Sequence, residues 1–201
     1  MTNKEEFIEI FDKLIIPDFP DAKKLLNFLT DDTDFFIAPA SMRNHSAVKG
    51  GLCLHSLNVY DRFMELLETE YGTGKNQYCG LRISELALIS LCHDICKIFT
   101  YEPTTRNKKV NGQWVEEQVY QYNDTFPFGH GAKSVYYLQK YIHDISPQAL
   151  QAVYYHMGGL DNPNEGSAVS YVFSHNPVAI LLHTADCLAT FLDEKRPDQN
   201  N

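Results

Sequence analysis

Ser84-Glu85-Leu86-Ala87-Leu88-Ile89-Ser90-Leu91-Cys92-His93-Asp94-Ile95-Cys96-Lys97 is the stretch that decides the fold. Ser84 followed by Glu85 is a helix-start pair. The run from Leu86 to Ile95 is apolar on every side, so it predicts a helix through the core rather than on the surface. His93 and Asp94 stand at its far end. Two ionisable side chains there cost several kcal/mol unless they are paired, and a divalent ion satisfies an imidazole nitrogen and a carboxylate oxygen together.

Working outward, other segments read as helices that carry the same residue types. Leu54, Leu57, Val59, Phe63, Leu66 and Leu67 recur as on a mostly buried helix with His55 in its first turns, ended by Gly72 and Gly74. Phe128-Gly129-His130-Gly131 opens a segment with Val135, Leu138 and Ile142 at helical spacing. Ser146-Pro147 is a strong start for a helix leading through Leu150, Val153 and Tyr154 to His156 and a Gly158-Gly159 stop. Asn176-Pro177 repeats that signal for a final helix from Val178 to about Leu192, with His183 and Asp186 on one face.

At the N-terminus, Phe7, Ile8, Phe11, Leu14 and Ile15, then Leu25, Leu26, Phe28 and Leu29, predict two short helices before a turn-rich stretch from Asp31 to Gly51. Lys108 to Val115 centres on Asn111-Gly112, the preferred two-residue turn of a hairpin. Arg106, Lys108 and Lys109 there fit either a phosphate guide or an edge blunted by lysines. The expected architecture is mainly α, one domain over 1–201. It has a helical core about 38–193, a single inserted β-hairpin at about 100–123, an N-terminal helical arm 1–30 and a polar tail 194–201.

Composition narrows the function classes. A length of 201 residues and 44% apolar content suit one soluble globular domain. A formal net charge of -9 and a pI near 5.3 argue against a protein that coats nucleic acid. No secretory pattern or membrane-spanning run is present, so the expected location is the cytoplasm and no membrane partner is implied. Five cysteines, an odd number, suggest reduced thiols. Cys92 and Cys96 read as small buried hydrophobes, because Cys-x-x-x-Cys lacks the usual structural-zinc spacing.

His55, His93, Asp94, His130, His156 and Asp186 amount to four imidazoles and two carboxylates on five helices. Mixed nitrogen and oxygen ligands suit manganese, iron, zinc, nickel or cobalt better than magnesium, which prefers oxygen. Six ligands exceed one tetrahedral site, which suggests two ions sharing a carboxylate, with Asp94 as the bridge. Paired divalent ions acidify a bridging water, hold a phosphoryl oxygen and stabilise in-line displacement. The chemistry expected is phosphoester hydrolysis, with Asp94 and Lys97 in catalytic roles. Lys97, three residues after Asp94, fits a phosphate contact or an exposed helix-end lysine that offsets the dipole.

These residues resemble the pattern of the HD-domain superfamily of metal-dependent phosphohydrolases, a His, an adjacent His-Asp pair and a distant Asp on a helical core. His55, His93-Asp94 and Asp186 match it over roughly residues 38 to 190, and His130 and His156 match the extra histidines of its dinuclear members. Ala38-Pro39-Ala40-Ser41, Asn44-His45 and Gly50-Gly51-Leu52-Cys53-Leu54-His55-Ser56-Leu57 resemble more closely the HD domain of bacterial 3′-to-5′ exoribonucleases. The resemblance implies that His55, His93, Asp94 and Asp186 bind a first ion and that Asp94, His130 and His156 bind a second.

The function this implies is cleavage of a phosphoester in a nucleotide or short oligonucleotide by a metal-bridged hydroxide. Tyr101, Trp114, Tyr120 and Tyr122 could stack a base or simply pack across the hairpin. Arg43, Lys49 and Lys133 fit either contacts to a substrate phosphate or solvated surface charges, and His183 fits a partner behind a metal ligand, a substrate contact or a packed helical histidine. Two other readings stay open: a nucleic-acid phosphodiesterase or exonuclease that works with a partner, and a non-catalytic, metal-stabilised module that senses a nucleotide.

Overall fold

The all-round apolar run becomes α4, Ile83–Cys92, and every residue from Ser84 to Cys92 is buried. This computed structural model describes residues 1–42, 46–161 and 165–194. The helix begins one residue earlier than the Ser84-Glu85 signal implies. Ser84 does not cap it, because its hydroxyl donates to Asp18 Oδ2 at 2.5 Å and ties the helix to the N-terminal region. α4 stops at Cys92, so His93 and Asp94 fall in the turn before a short 3-10 segment, Ile95–Lys97.

Around α4 lie the other carriers of the expected site. α3 spans Gly51–Tyr71, α5 His130–Tyr141, α6 Pro147–Tyr154 and α8 Pro177–Leu188. α3 and α6 pack on α4, α8 packs on both α3 and α6, and α5 packs on α6 and on the 95–97 turn. Their ends therefore meet where α4 stops. As expected from Ser146-Pro147, the Ser146 hydroxyl accepts from Ala149 N at 3.1 Å and Pro147 takes the first helical position.

The two N-terminal helices are α1, Asn3–Ile10, and α2, Ala22–Asn27, each running into a π-type turn. They are part of the core. Phe7, Phe11, Ile15, Leu25 and Leu29 are fully buried in the same apolar cluster as α4. Thr2 and Glu5 form a reciprocal capping box at the start of α1.

The expected hairpin is present as β3, Tyr101–Val110, and β4, Gln113–Tyr122, antiparallel with Val110 opposite Gln113. Asn111 and Gly112 both have positive φ, 50° and 87°, as a type I′ turn requires. A second, smaller hairpin went unpredicted: β1, Gln77–Tyr78, and β2, Leu81–Arg82, joined by Cys79-Gly80 with φ of 52° and 82°. It has the same turn geometry, with a cysteine where Asn or Asp is usual. Helix α7, Gly166–His175, was also unpredicted, and only Val172 of its ten residues is buried. The molecule is mainly helical with two small antiparallel sheets among the described residues.

Gly131 links the fold to the site. A Cβ built on it would lie 2.0 Å from the carbonyl oxygen of Tyr154, so only glycine lets the first turn of α5 approach the last residue of α6. That approach brings the His130 and His156 rings to 5.2 Å. Gly159 has open space around it. Gly131→Ala is expected to cost about 1–3 kcal/mol by overpacking, and Gly159→Ala less than about 0.5 kcal/mol, read as shifts in the urea midpoint. Equal shifts would contradict the close-approach account.

Candidate metal centre

Each expected ligand sits at or near the end of an element. His55 lies in the second turn of α3, and His93 and Asp94 follow α4. His130 opens α5, His156 follows α6 by two residues, and Asp186 lies in the last turn of α8. The structure brings all six together. Three groups of three, His55-His93-Asp94, His93-His156-Asp186 and Asp94-His130-His156, each present ligand atoms within 4.8 Å of one another, so these buried His and Asp side chains could hold a metal ion.

Asp94 is the centre of the cluster and its two oxygens face different neighbours. Oδ2 lies 3.3 Å from His55 Nε2, 3.6 Å from His93 Nε2 and 2.5 Å from Lys97 Nζ. Oδ1 lies 2.5 Å from His130 Nε2 and 3.5 Å from His156 Nε2. Asp186 comes nearest to the first set, with Oδ1 3.2 Å from His55 Nε2, and also has a ligand atom within 4.8 Å of His156.

The ring orientations leave nitrogen lone pairs aimed inward. His93 Nδ1 is 2.8 Å from the Ser90 carbonyl and His156 Nδ1 is 2.6 Å from the Val153 carbonyl, so each Nδ1 carries the proton and donates. That leaves Nε2 of each ring as an acceptor. His156 Nε2 is buried and has no hydrogen-bond partner, its 3.5 Å approach to Asp94 lacking hydrogen-bond geometry. An orphaned, inward-facing imidazole nitrogen is costly unless a cation or donor completes it. The donor set therefore fits a divalent ion on the structure's own terms.

Electrostatics say the same. Burial pushes the His93 imidazole down to about 3, so it is neutral and ready to ligate. Burial works against a charged His130, but Cys96 and Asp94 outweigh it and hold the ring up to about 10. His55 is likewise raised well above the ordinary range, with burial overcome by hydrogen bonds to Asp186, Asp94 and Glu194. Asp94 is held far below the usual carboxylate range despite its burial, chiefly by the Lys97 ammonium and by protonated His130. Protons on His55 and His130 and the Lys97 ammonium thus supply positive charge that the buried carboxylates demand.

Lys97 is 11% exposed in its side chain and bonded to Asp94, which is unlike a solvated helix-end lysine. It also lines a cleft of about 250 Å³ beside the cluster, with Tyr101, Tyr122, Asp124, Phe128, His130 and Lys133 among its walls. Lys133, expected at the substrate, is buried in that wall with Nζ 2.8 Å from Asp124 Oδ1. His183, another substrate candidate, has Nδ1 2.6 Å from the His156 carbonyl and packs against Gly158. It props the His156 turn. Arg43 lies outside the described residues, as do Asn44 and His45. Cys92 and Cys96 are buried free thiols, as read.

Three contributors escaped the sequence reading. Asp161 accepts from the His130 and Gly131 backbone N–H groups at 3.2 and 3.1 Å and so anchors the start of α5. Asp124 fixes Lys133. Glu194, read as part of a polar tail, is buried and lies 2.8 Å from His55 Nδ1. Its signal was present: Asp193 and Glu194 stand seven and eight residues after Asp186, on the same helical face if the helix is continued.

Comparison of the chain with protein-family models, curated proteins and solved structures finds no match in any of the three. No helix among the described residues is long and apolar enough to cross a membrane.

Because His55 and His130 hold protons at neutral pH, an ion entering the cluster must displace them. Metal affinity is expected to fall as pH falls and to climb through the neutral range, with His130 only half deprotonated at about 10. Calorimetric titration with zinc in two buffers of different ionisation enthalpy should show proton release. Affinity independent of pH would contradict the assignment.

Proposed function

We propose that this protein is a metal-dependent phosphohydrolase that cleaves a phosphoester in a nucleotide or short oligonucleotide. The observation that carries the reading is Asp94: one buried carboxylate whose Oδ2 faces His55 and His93 while Oδ1 faces His130 and His156. A carboxylate so placed has the form of a bridge between two ligand sets, His55, His93 and Asp186 on one side, His130 and His156 on the other. The same arrangement is what the resemblance to the HD-domain superfamily implies. The donors suit manganese, iron, zinc, nickel or cobalt. The chemistry that two such ions supply is activation of a water and polarisation of a phosphoryl oxygen.

The chain's own side chains account for the rest. Lys97 puts an ammonium between Asp94 and the cleft, where it can meet the charge that builds on a phosphoryl oxygen as the phosphorus–oxygen bond breaks. The Asp124–Lys133 pair forms another part of the cleft wall. Phe128 is 52% exposed and stacks on Phe126 with ring centroids 5.6 Å apart, and Tyr122 is 59% exposed, so the cleft offers flat aromatic faces to a base. A cleft of about 250 Å³ suits a nucleotide better than a polymer strand along its length. His55, His93 and Asp94 are buried and exclude bulk water from one side of the reacting group.

The test pairs metal analysis of purified protein with hydrolysis assays on phosphomonoesters, nucleotides, cyclic dinucleotides and oligonucleotides, with Asp94→Asn as the control. Turnover of a nucleotide is expected. In the variant it should drop by more than the ~10–100-fold that losing a mere outer partner of a ligand costs. Metal retention without turnover anywhere on the panel would replace this reading with that of a nucleotide-sensing module.

A further inference from the structure

Glu194 follows the last helical turn, Ala189–Asp193, and folds back onto α3 with φ -100° and ψ 120°. Its carboxylate is fully engaged. Oε1 accepts from Asn58 Nδ2 at 3.1 Å and lies 2.8 Å from His55 Nδ1, while Oε2 accepts from the Ser46 hydroxyl at 2.6 Å. The preceding residue is clamped as well, since Arg62 Nε and NH2 reach the two oxygens of Asp193 at 2.8 and 2.5 Å. His55, Asn58 and Arg62 stand at i, i+3 and i+7 on α3, so one helical face receives both acids.

This support differs from that of the other buried histidines. His93 and His156 direct Nδ1 at a backbone carbonyl three residues back on their own chain segment. His55 directs Nδ1 at a carboxylate 139 residues away. A carboxylate partner fixes the tautomer with the proton on Nδ1, turns Nε2 toward Asp94 and Asp186, and makes the ring a stronger donor to a metal than a carbonyl partner does.

We infer that Glu194 is a positioning residue of the metal centre: it orients His55 as an Nε2 ligand and raises its donor strength, with the Arg62–Asp193 clamp delivering it. The inference rests on the metal-binding reading of the cluster. Its rival is a Glu194 that only fastens the end of the described chain to α3. A fastener would affect the stability of the metal-free protein and leave ion affinity alone. A positioning residue lowers ion affinity when replaced by a group of the same size that still accepts the His55 hydrogen bond.

Glu194→Gln is such a replacement. In zinc competition against a chelator, the variant is expected to bind about 10–100-fold more weakly than the unaltered protein, a loss that a mere fastener would not produce. Affinity within about twofold of the parent protein would overturn the inference while leaving the metal centre intact. If the parent protein itself binds no zinc, manganese, iron, cobalt or nickel, both fall. Should the variant fail to fold, nitrogen-15 NMR of the His55 ring in the zinc-loaded parent protein decides: Nδ1 protonated with Nε2 on zinc supports the inference, and Nδ1 on zinc overturns it.

Discussion

A single buried negative charge sets the terms for this molecule. Asp94 is 1% exposed at the end of a helix whose other residues are almost all apolar. An ionised carboxylate in that position is tolerable only when positive charge and hydrogen bonds surround it. Lys97, His55 and His130 answer that demand, and each comes from a different element. Removing any one would leave a charge uncompensated in the interior. Packing and electrostatics are therefore inseparable here: α4 must be buried to hold the core together, and burying it forces the neighbouring helices to present polar ends at one point.

Those ends converge because the backbone permits unusually close approach at chosen places. Gly131 lets α5 touch α6, and Gly51, whose Cβ would lie 1.9 Å from the Ser46 carbonyl oxygen, lets α3 touch the loop that also holds Glu194. Helices that end at the cluster expose their last carbonyls and first amides there. Some of those groups are put to work, with the Ser90 and Val153 carbonyls orienting rings and the His130 and Gly131 amides accepted by Asp161. The cluster is rigid because its orienting partners are backbone or buried side chains, which suits a site that must hold ligand atoms in fixed geometry.

What could be read without coordinates follows from which signals are local. The helices carrying His55, His93, His130, His156 and Asp186 each announce themselves by periodicity and caps, and Asn111-Gly112 dictates its turn alone. Helix α7 and the Cys79-Gly80 hairpin were missed because they bury little or use an uncommon turn residue, so tertiary context decides them. The partner of Lys133 was equally beyond a local reading, since its ammonium is spent on Asp124, whereas His183 behaves as a packed helical histidine held by a backbone carbonyl behind His156, one of the roles its position allows. Glu194 carried a partial signal in its spacing from Asp186, but nothing in a polar C-terminal stretch names a histidine 139 residues earlier as its partner.

A protein with a net charge of -9 is a poor general attractor of phosphate, so the phosphoester of the proposed function would have to be attracted locally. In the cleft, however, Lys97 and Lys133 are both already paired, with Asp94 and Asp124. On the proposed reading this makes anion binding conditional. A divalent cation held by Asp94 would take over the neutralisation that Lys97 now provides and would free the ammonium toward the cleft. A phosphate bound by Lys97 weakens the lysine's competition for Asp94 in return. By linkage each then strengthens the other by the same factor. On the proposed reading, the acidic chain would reject loose polyanions and accept a phosphoester chiefly where the ions that cleave it are already held.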